Sequence, residues 1–128
     1  LQNLTLNFNK NDHVIITAGT NDKNFNNYKM SVLKTLSICS NTNLIINSVP
    51  DRFDKPFYNH YHDKMNNYLL QLSQEYHFTF NDINIFCDRN DYTRHGLHFN
   101  NLGKYKLTST CSQYIKNFNI NKFFRPHP

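Results

Sequence analysis

The chain has 128 residues and 15.3 kDa, room for one domain, and its 38% hydrophobic and 15% aromatic content is enough for an ordinary core. Three Gly and four Pro exclude collagen-like and Pro- or Gly-rich disordered classes, and the absence of any run of about 18 apolar residues speaks against a membrane span. Fourteen Lys and Arg against nine Asp and Glu give a net charge of +5, which leaves nucleic acid open as a partner, although the basic residues are scattered rather than clustered. No basic or apolar leader precedes Lys10, so the expectation is a cytoplasmic, intracellular protein without a signal peptide. Three cysteines, at 39, 87 and 111, form no Cys-x-x-Cys and are expected as reduced thiols. The excess of Asn reads as coding bias.

The first element is Val14-Ile15-Ile16-Thr17-Ala18, a β-branched run stopped by Gly19 and read as a buried strand. Phe25, Tyr28, Val32, Leu36 and Cys39 then recur at steps of three and four, the stripe of an amphipathic helix. Residues 44–49 form a second strand ended by Pro50, and Tyr61, Met65, Tyr68, Leu69, Leu72 and Tyr76 a longer helix. Ile83-Asn84-Ile85-Phe86-Cys87 is read as the third strand, and residues 107–118 as a last helix with Asn100 or Asn101 at its N-cap. Residues 119–128 are read as a flexible tail of this single domain. Strands alternating with helices predict βαβ units, hence an α/β fold with a parallel sheet covered on both faces and its ligand at the carboxyl ends of the strands.

Two segments fall on those ends. Ala18-Gly19-Thr20-Asn21-Asp22 follows the first strand, where Gly19 permits a sharp turn with an exposed amide and the Asn21 amide is an uncharged donor suited to a developing oxyanion. The same residue types make an ordinary β-to-α turn, so both readings stand at this point. His95-Gly96-Leu97-His98-Phe99-Asn100-Asn101-Leu102-Gly103-Lys104 runs into the last helix, and a histidine on such a loop can act as general base, because the free imidazole titrates at about 6.5. His95 and His98 also raise a metal site, but no third ligand of suitable spacing stands nearby, and no metal is expected.

Together and in this order, the two motifs resemble the SGNH (GDSL) superfamily of serine esterases and acyl hydrolases, in particular the SGNH-type domains of LINE-type retrotransposons and their insect relatives. The resemblance covers most of residues 12–118. It implies a three-layer α/β/α, flavodoxin-like fold, a small ester or acylated substrate and no cofactor. It also implies an oxyanion role for Asn21, with Gly19 as the glycine of the matched motif, and a catalytic base at His98. The family's acidic residue three before the base is His95 here, which leaves Asp91 on the same loop as the candidate to orient His98. The family's nucleophilic Ser, in a Gly-Asp-Ser segment well before the strand at Val14, and the glycine further on that adds a second oxyanion donor have no counterpart among the thirteen residues that precede it. The expectation is therefore the C-terminal part of a hydrolase domain, inactive as printed. The alternative is a non-catalytic α/β binding module associated with a retrotransposon-encoded nucleic-acid-binding protein. A strand Val14 to Ala18 left without its neighbour predicts association with the missing upstream segment, or self-association through the exposed strand edge.

Overall fold

The computed structural model describes residues 9–124, with side chains as far as residue 117. The β-branched run after Asp12 forms β1 (His13–Ile16), followed by α1 (Phe25–Ile38), β2 (Asn43–Asn47), α2 (Tyr58–Tyr76) and β3 (Thr79–Asn81). Two single 3₁₀ turns, Ile83–Ile85 and Arg89–Asp91, lead to α3 (Asn101–Phe124). All three strands are parallel, in the order β1-β2-β3, with Val14 opposite Leu44 and Ile46 opposite Phe80. A parallel sheet assembled in sequence order turns both crossovers the same way, so α1 and α2 share one face.

That face holds the apolar core. Leu44 and Ile46 project from the sheet onto Tyr28, Val32 and Leu36 of α1 and Met65, Leu69 and Leu72 of α2, with Val14 and Ile16 packed at the margin. Leu69 and Met65 are fully buried, and truncating either to Ala costs about 2 to 5 kcal/mol. The opposite face carries the fully buried Ile45 and then turns polar toward the strand ends. There Asn81 Nδ2 donates to Asn47 Oδ1 (2.8 Å) and Asn47 Nδ2 to Thr17 Oγ1 (2.7 Å), while Cys111 Sγ of α3 reaches Asn47 Oδ1 at 3.7 Å. Each buried amide is thereby satisfied, which an apolar environment requires.

The sequence reading needs three corrections. Residues 83–87 are not the third strand; β3 lies earlier, at Thr79–Asn81. Asp82 caps the turn by accepting from the Asn84 amide (3.3 Å), the Ile83 amide donates to Ser48 Oγ (2.9 Å), and burial follows steps of four, with Ile83 and Cys87 inside and Ile85 82% exposed. That is the periodicity of a turn, not of a pleat. Second, α3 continues to Phe124, so the stretch read as a tail is helical to that point, and residues 125–128 lie outside the described residues. Third, several asparagines serve the structure as backbone clamps: Asn66 bonds both the amide and the carbonyl of Val49, Asn59 does the same for Arg52, and Asn84 Nδ2 reaches the Val49 carbonyl.

Asn100 caps α3, its side chain accepting from the Gly103 amide (2.9 Å). The three cysteines are free and buried. Among the described residues β1 pairs with β2 alone, at the edge of the sheet, and no helix is long and apolar enough to cross a membrane.

Candidate active-site cleft

The carboxyl ends of the three strands deliver three loops to one side of the molecule: residues 17–24 after β1, 48–57 after β2 and 82–100 after β3. Between them lies a cleft of about 520 Å³, lined by residues 17–22, by Pro50 and by Leu97, His98 and Phe99. Asn21 and His98, taken from the two sequence motifs, thus line one cavity. Gly19 lines it as well.

Gly19 sits at φ +106°, and a Cβ there would lie 2.9 Å from a Val49 methyl and 3.1 Å from the Tyr28 ring. Only Gly meets both conditions. Its carbonyl accepts from the Asp22 amide (2.9 Å), closing the turn that presents Asn21, and Asn24 then caps α1 through the Asn27 amide (3.0 Å). Asn21 is exposed, and its Oδ1 accepts from Arg52 Nη1 at 3.3 Å; the same nitrogen reaches the Thr20 carbonyl, also at 3.3 Å. Arg52 is itself 4% exposed.

The other wall is a tight turn. The Gly96 amide donates to the Thr93 carbonyl (2.9 Å), the Thr93 amide to the His98 carbonyl (2.8 Å), and Tyr92 and Phe99 form an antiparallel bridge. Gly96, at φ +79°, accepts from the Phe53 amide at 2.8 Å and has no room for a Cβ, which would lie 2.8 Å from Phe53 Cβ. The backbone carrying His98 is therefore fixed. Its exposed side chain makes no hydrogen bond or ion pair among the described residues.

Asp91 is brought to Lys106 and not to His98. It is fully buried, and Oδ2 accepts from the Asp88 amide and from Lys106 Nζ, each at 2.9 Å. Those two donors, the amide foremost, hold its carboxyl below the usual carboxylate range. Its work is to cap the 3₁₀ turn Arg89–Asp91 and to anchor α3. His95 is exposed and lies outside the cleft lining. Among the described residues no serine lines the cleft: Ser48, at the end of β2, is fully buried, and Thr17 and Thr20 supply the hydroxyls there.

Sequence reasoning missed two residues beneath the cleft. Arg52 gives no signal, because its partners at 20 and 21 are remote in sequence and its ion-pair partner, Asp54, sits in an ordinary loop pattern. His62 and His60 stand two residues apart on α2 and so face different sides of it. His62 is fully buried, His60 is exposed, and the His62 ring lies against the carbonyls of Thr20 and Pro50 without either nitrogen closing a hydrogen bond. Burial foremost pushes its pKa down, and the nearby Arg52 charge adds to this. Its polarity and its place on an apolar helix face are the only hints the sequence holds. Among the described residues no group of three or more His, Cys, Asp or Glu is placed to hold a metal ion. Compared with known proteins, the chain matches no family model, no curated protein and no solved structure, so the reading of the cleft rests on its own geometry and on the two motifs.

Proposed function

We propose that this chain is part of an SGNH-type, flavodoxin-like ester hydrolase domain of retrotransposon-related origin, acting on a small ester or acylated substrate, with its serine nucleophile supplied by sequence upstream of Leu1. The observation that carries this reading is that Asn21 and His98 line one cleft at the carboxyl edge of a parallel sheet. In the first step the serine oxygen bonds to the ester carbonyl carbon and its proton passes to the His98 ring. The carbonyl oxygen becomes an oxyanion facing the Asn21 amide and the Gly19 turn. As the tetrahedral species collapses, the carbon–oxygen bond to the alcohol breaks and His98 returns the proton to the leaving oxygen. Water then repeats the sequence on the acyl-enzyme.

One observation favours a second reading. Among the described residues the cleft lining holds no serine, as a non-catalytic binding module descended from such a hydrolase would have it. A fluorophosphonate probe separates the two when applied to the full-length gene product. The hydrolase reading expects labelling of one serine upstream of Leu1 and turnover of p-nitrophenyl acetate that falls by about 10² to 10⁴ in His98→Ala. The 128-residue chain by itself is expected to be no faster than its own His98→Ala variant. A full-length product that is not labelled, and whose turnover ignores His98, is a binding module.

A further inference from the structure

The Arg52 side chain spans from the loop after β2 to the loop after β1 and is held from every side. Nε and Nη2 donate to the two carboxylate oxygens of Asp54 at 3.0 and 2.8 Å, and the guanidinium lies 4.1 Å from the Tyr58 ring centroid. Its main chain is clamped by Asn59, whose Oδ1 accepts from the Arg52 amide (2.7 Å) and whose Nδ2 donates to the Arg52 carbonyl (2.9 Å). The hydrogen bond from Arg52 holds the Asp54 carboxyl down to about 2, so the pair stays ionised at neutral pH. What remains of the fork, Nη1, points at the Thr20 carbonyl and Asn21 Oδ1.

Building on the reading of Asn21 as the oxyanion donor, we infer that Arg52 is the positioning residue of this site: it holds the oxygen of the Asn21 amide, so that only the two N–H donors remain for an oxygen-bearing group in the cleft. An unrestrained asparagine amide turns over readily, and an amide oxygen facing a developing oxyanion repels it. Fixing Oδ1 on a cation fixes the sign of the dipole that the substrate meets. Lysine cannot replace this arrangement, because a single ammonium cannot grip Asp54 through both oxygens, lie flat on Tyr58 and still reach Asn21. The same segment reaches the opposite wall, where the Phe53 amide holds the Gly96 carbonyl at 2.8 Å, so residues 52–54 set the spacing between the two sides of the cleft.

The test is solution NMR on the isotope-labelled 128-residue chain, with methylphosphonate as a tetrahedral oxyanion probe. In the native chain the Asn21 side-chain N–H pair is expected to be nearly as ordered as the backbone, with an order parameter of about 0.8, and to shift on addition of methylphosphonate. In Arg52→Lys the order parameter drops below about 0.6 and probe affinity weakens about tenfold or more, while the spectrum of β2 and α3 stays in place. Asn21→Asp keeps the Arg52 Nε–H signal and loses the probe. An Asn21 amide that is mobile in the native chain, or equally ordered in Arg52→Lys, overturns the proposal whatever the probe does. An amide that loosens in Arg52→Lys in a protein that binds no methylphosphonate upholds the role of Arg52 and counts against the hydrolase reading instead.

Discussion

The two walls of the cleft are built differently. On the Asn21 side both backbone and side chain are fixed: Gly19 is wedged against Val49 and Tyr28, and the Asn21 amide is tied to a buried arginine. On the His98 side the backbone is equally fixed, by the Thr93 to His98 turn and the Tyr92–Phe99 bridge, but the imidazole makes no hydrogen bond or ion pair among the described residues. One wall fixes its polar side chain as well as its backbone. The other is a rigid mount for a side chain that no hydrogen bond or ion pair among the described residues orients. In a triad the base is held by a third group, and the carboxylate expected for that part, Asp91, is engaged with Lys106. On the proposed hydrolase reading the described residues still lack a nucleophile, an orienting group for His98 and the second, glycine oxyanion donor that the resemblance implies.

The largest effects should come from the two glycines on which these walls turn. Gly19→Ala and Gly96→Ala each place a Cβ at a positive φ and within 2.9 Å of a neighbouring carbon. Backbone strain and overpacking together cost about 2 to 4 kcal/mol in each. Gly96→Ala should be the worse, because its Cβ meets the main chain of Phe53 and Asp54, whereas that of Gly19 meets the tips of Val49 and Tyr28, which yield more readily. Urea unfolding followed by circular dichroism ranks them. Equal midpoints for either variant and the native chain would show that its wall is looser than described.

A smaller effect distinguishes the two sides by pH. His62 supports the Asn21 side from below, facing the Thr20 and Pro50 carbonyls, the Arg52 guanidinium, the Tyr58 ring and the Asp22 charge. Its folded pKa is depressed, so the unfolded chain takes up the proton first, and the stability present above the ordinary value of about 6.5 is lost as pH falls through the folded pKa. Asp54 and Asp91, whose carboxyls are also depressed, add a separate loss that begins only below the ordinary carboxylate range, near 3.8. The urea midpoint should therefore fall between pH 7.5 and pH 5 in the native chain and stay level over that interval in His62→Gln. Both proteins should decline together below pH 4. An identical slope above pH 5 in the two proteins removes His62 from the account.

What the sequence disclosed and what it hid follow the same division. The β-branched run at 14–16, the helical stripes from Phe25 and Tyr61, and the strand ending before Pro50 are periodic signals, and each corresponds to an element of the α/β sheet. The Gly19 to Asp22 and Gly96 to Asn100 segments were legible because local turn chemistry dictates them. β3 was missed because three residues carry too little alternation to compete with the apolar stretch at 83–87, whose burial in steps of four shows only in three dimensions. Arg52 and His62 were hidden for a different reason: their roles depend on segments brought together by the crossover of β1 and β2, and no spacing records that. The asparagine clamps at 59, 66 and 84 were discounted as composition, although an amide side chain that mimics a peptide group is how irregular loops at sheet ends satisfy their backbone.

The smallest effect is the most informative about the mount on the second wall. An exposed side chain without a hydrogen bond or ion pair among the described residues contributes little to the fold, so His98→Ala should change stability by no more than about 0.5 kcal/mol. Its backbone duties, the carbonyl that accepts from Thr93 and the neighbouring Phe99 bridge, survive the substitution. Methylphosphonate is expected to shift the ring and amide signals of residues 97–99, and the same variant should abolish that shift, because the imidazole is the polar side chain this wall offers to the cleft. A loss of 2 kcal/mol or more in His98→Ala, read from urea midpoints, would mean that the ring is held by contacts of its own and serves the fold. Unchanged stability with a lost ligand response is the signature of a residue kept free for chemistry, held ready by a rigid turn and awaiting a partner on its own side of the cleft.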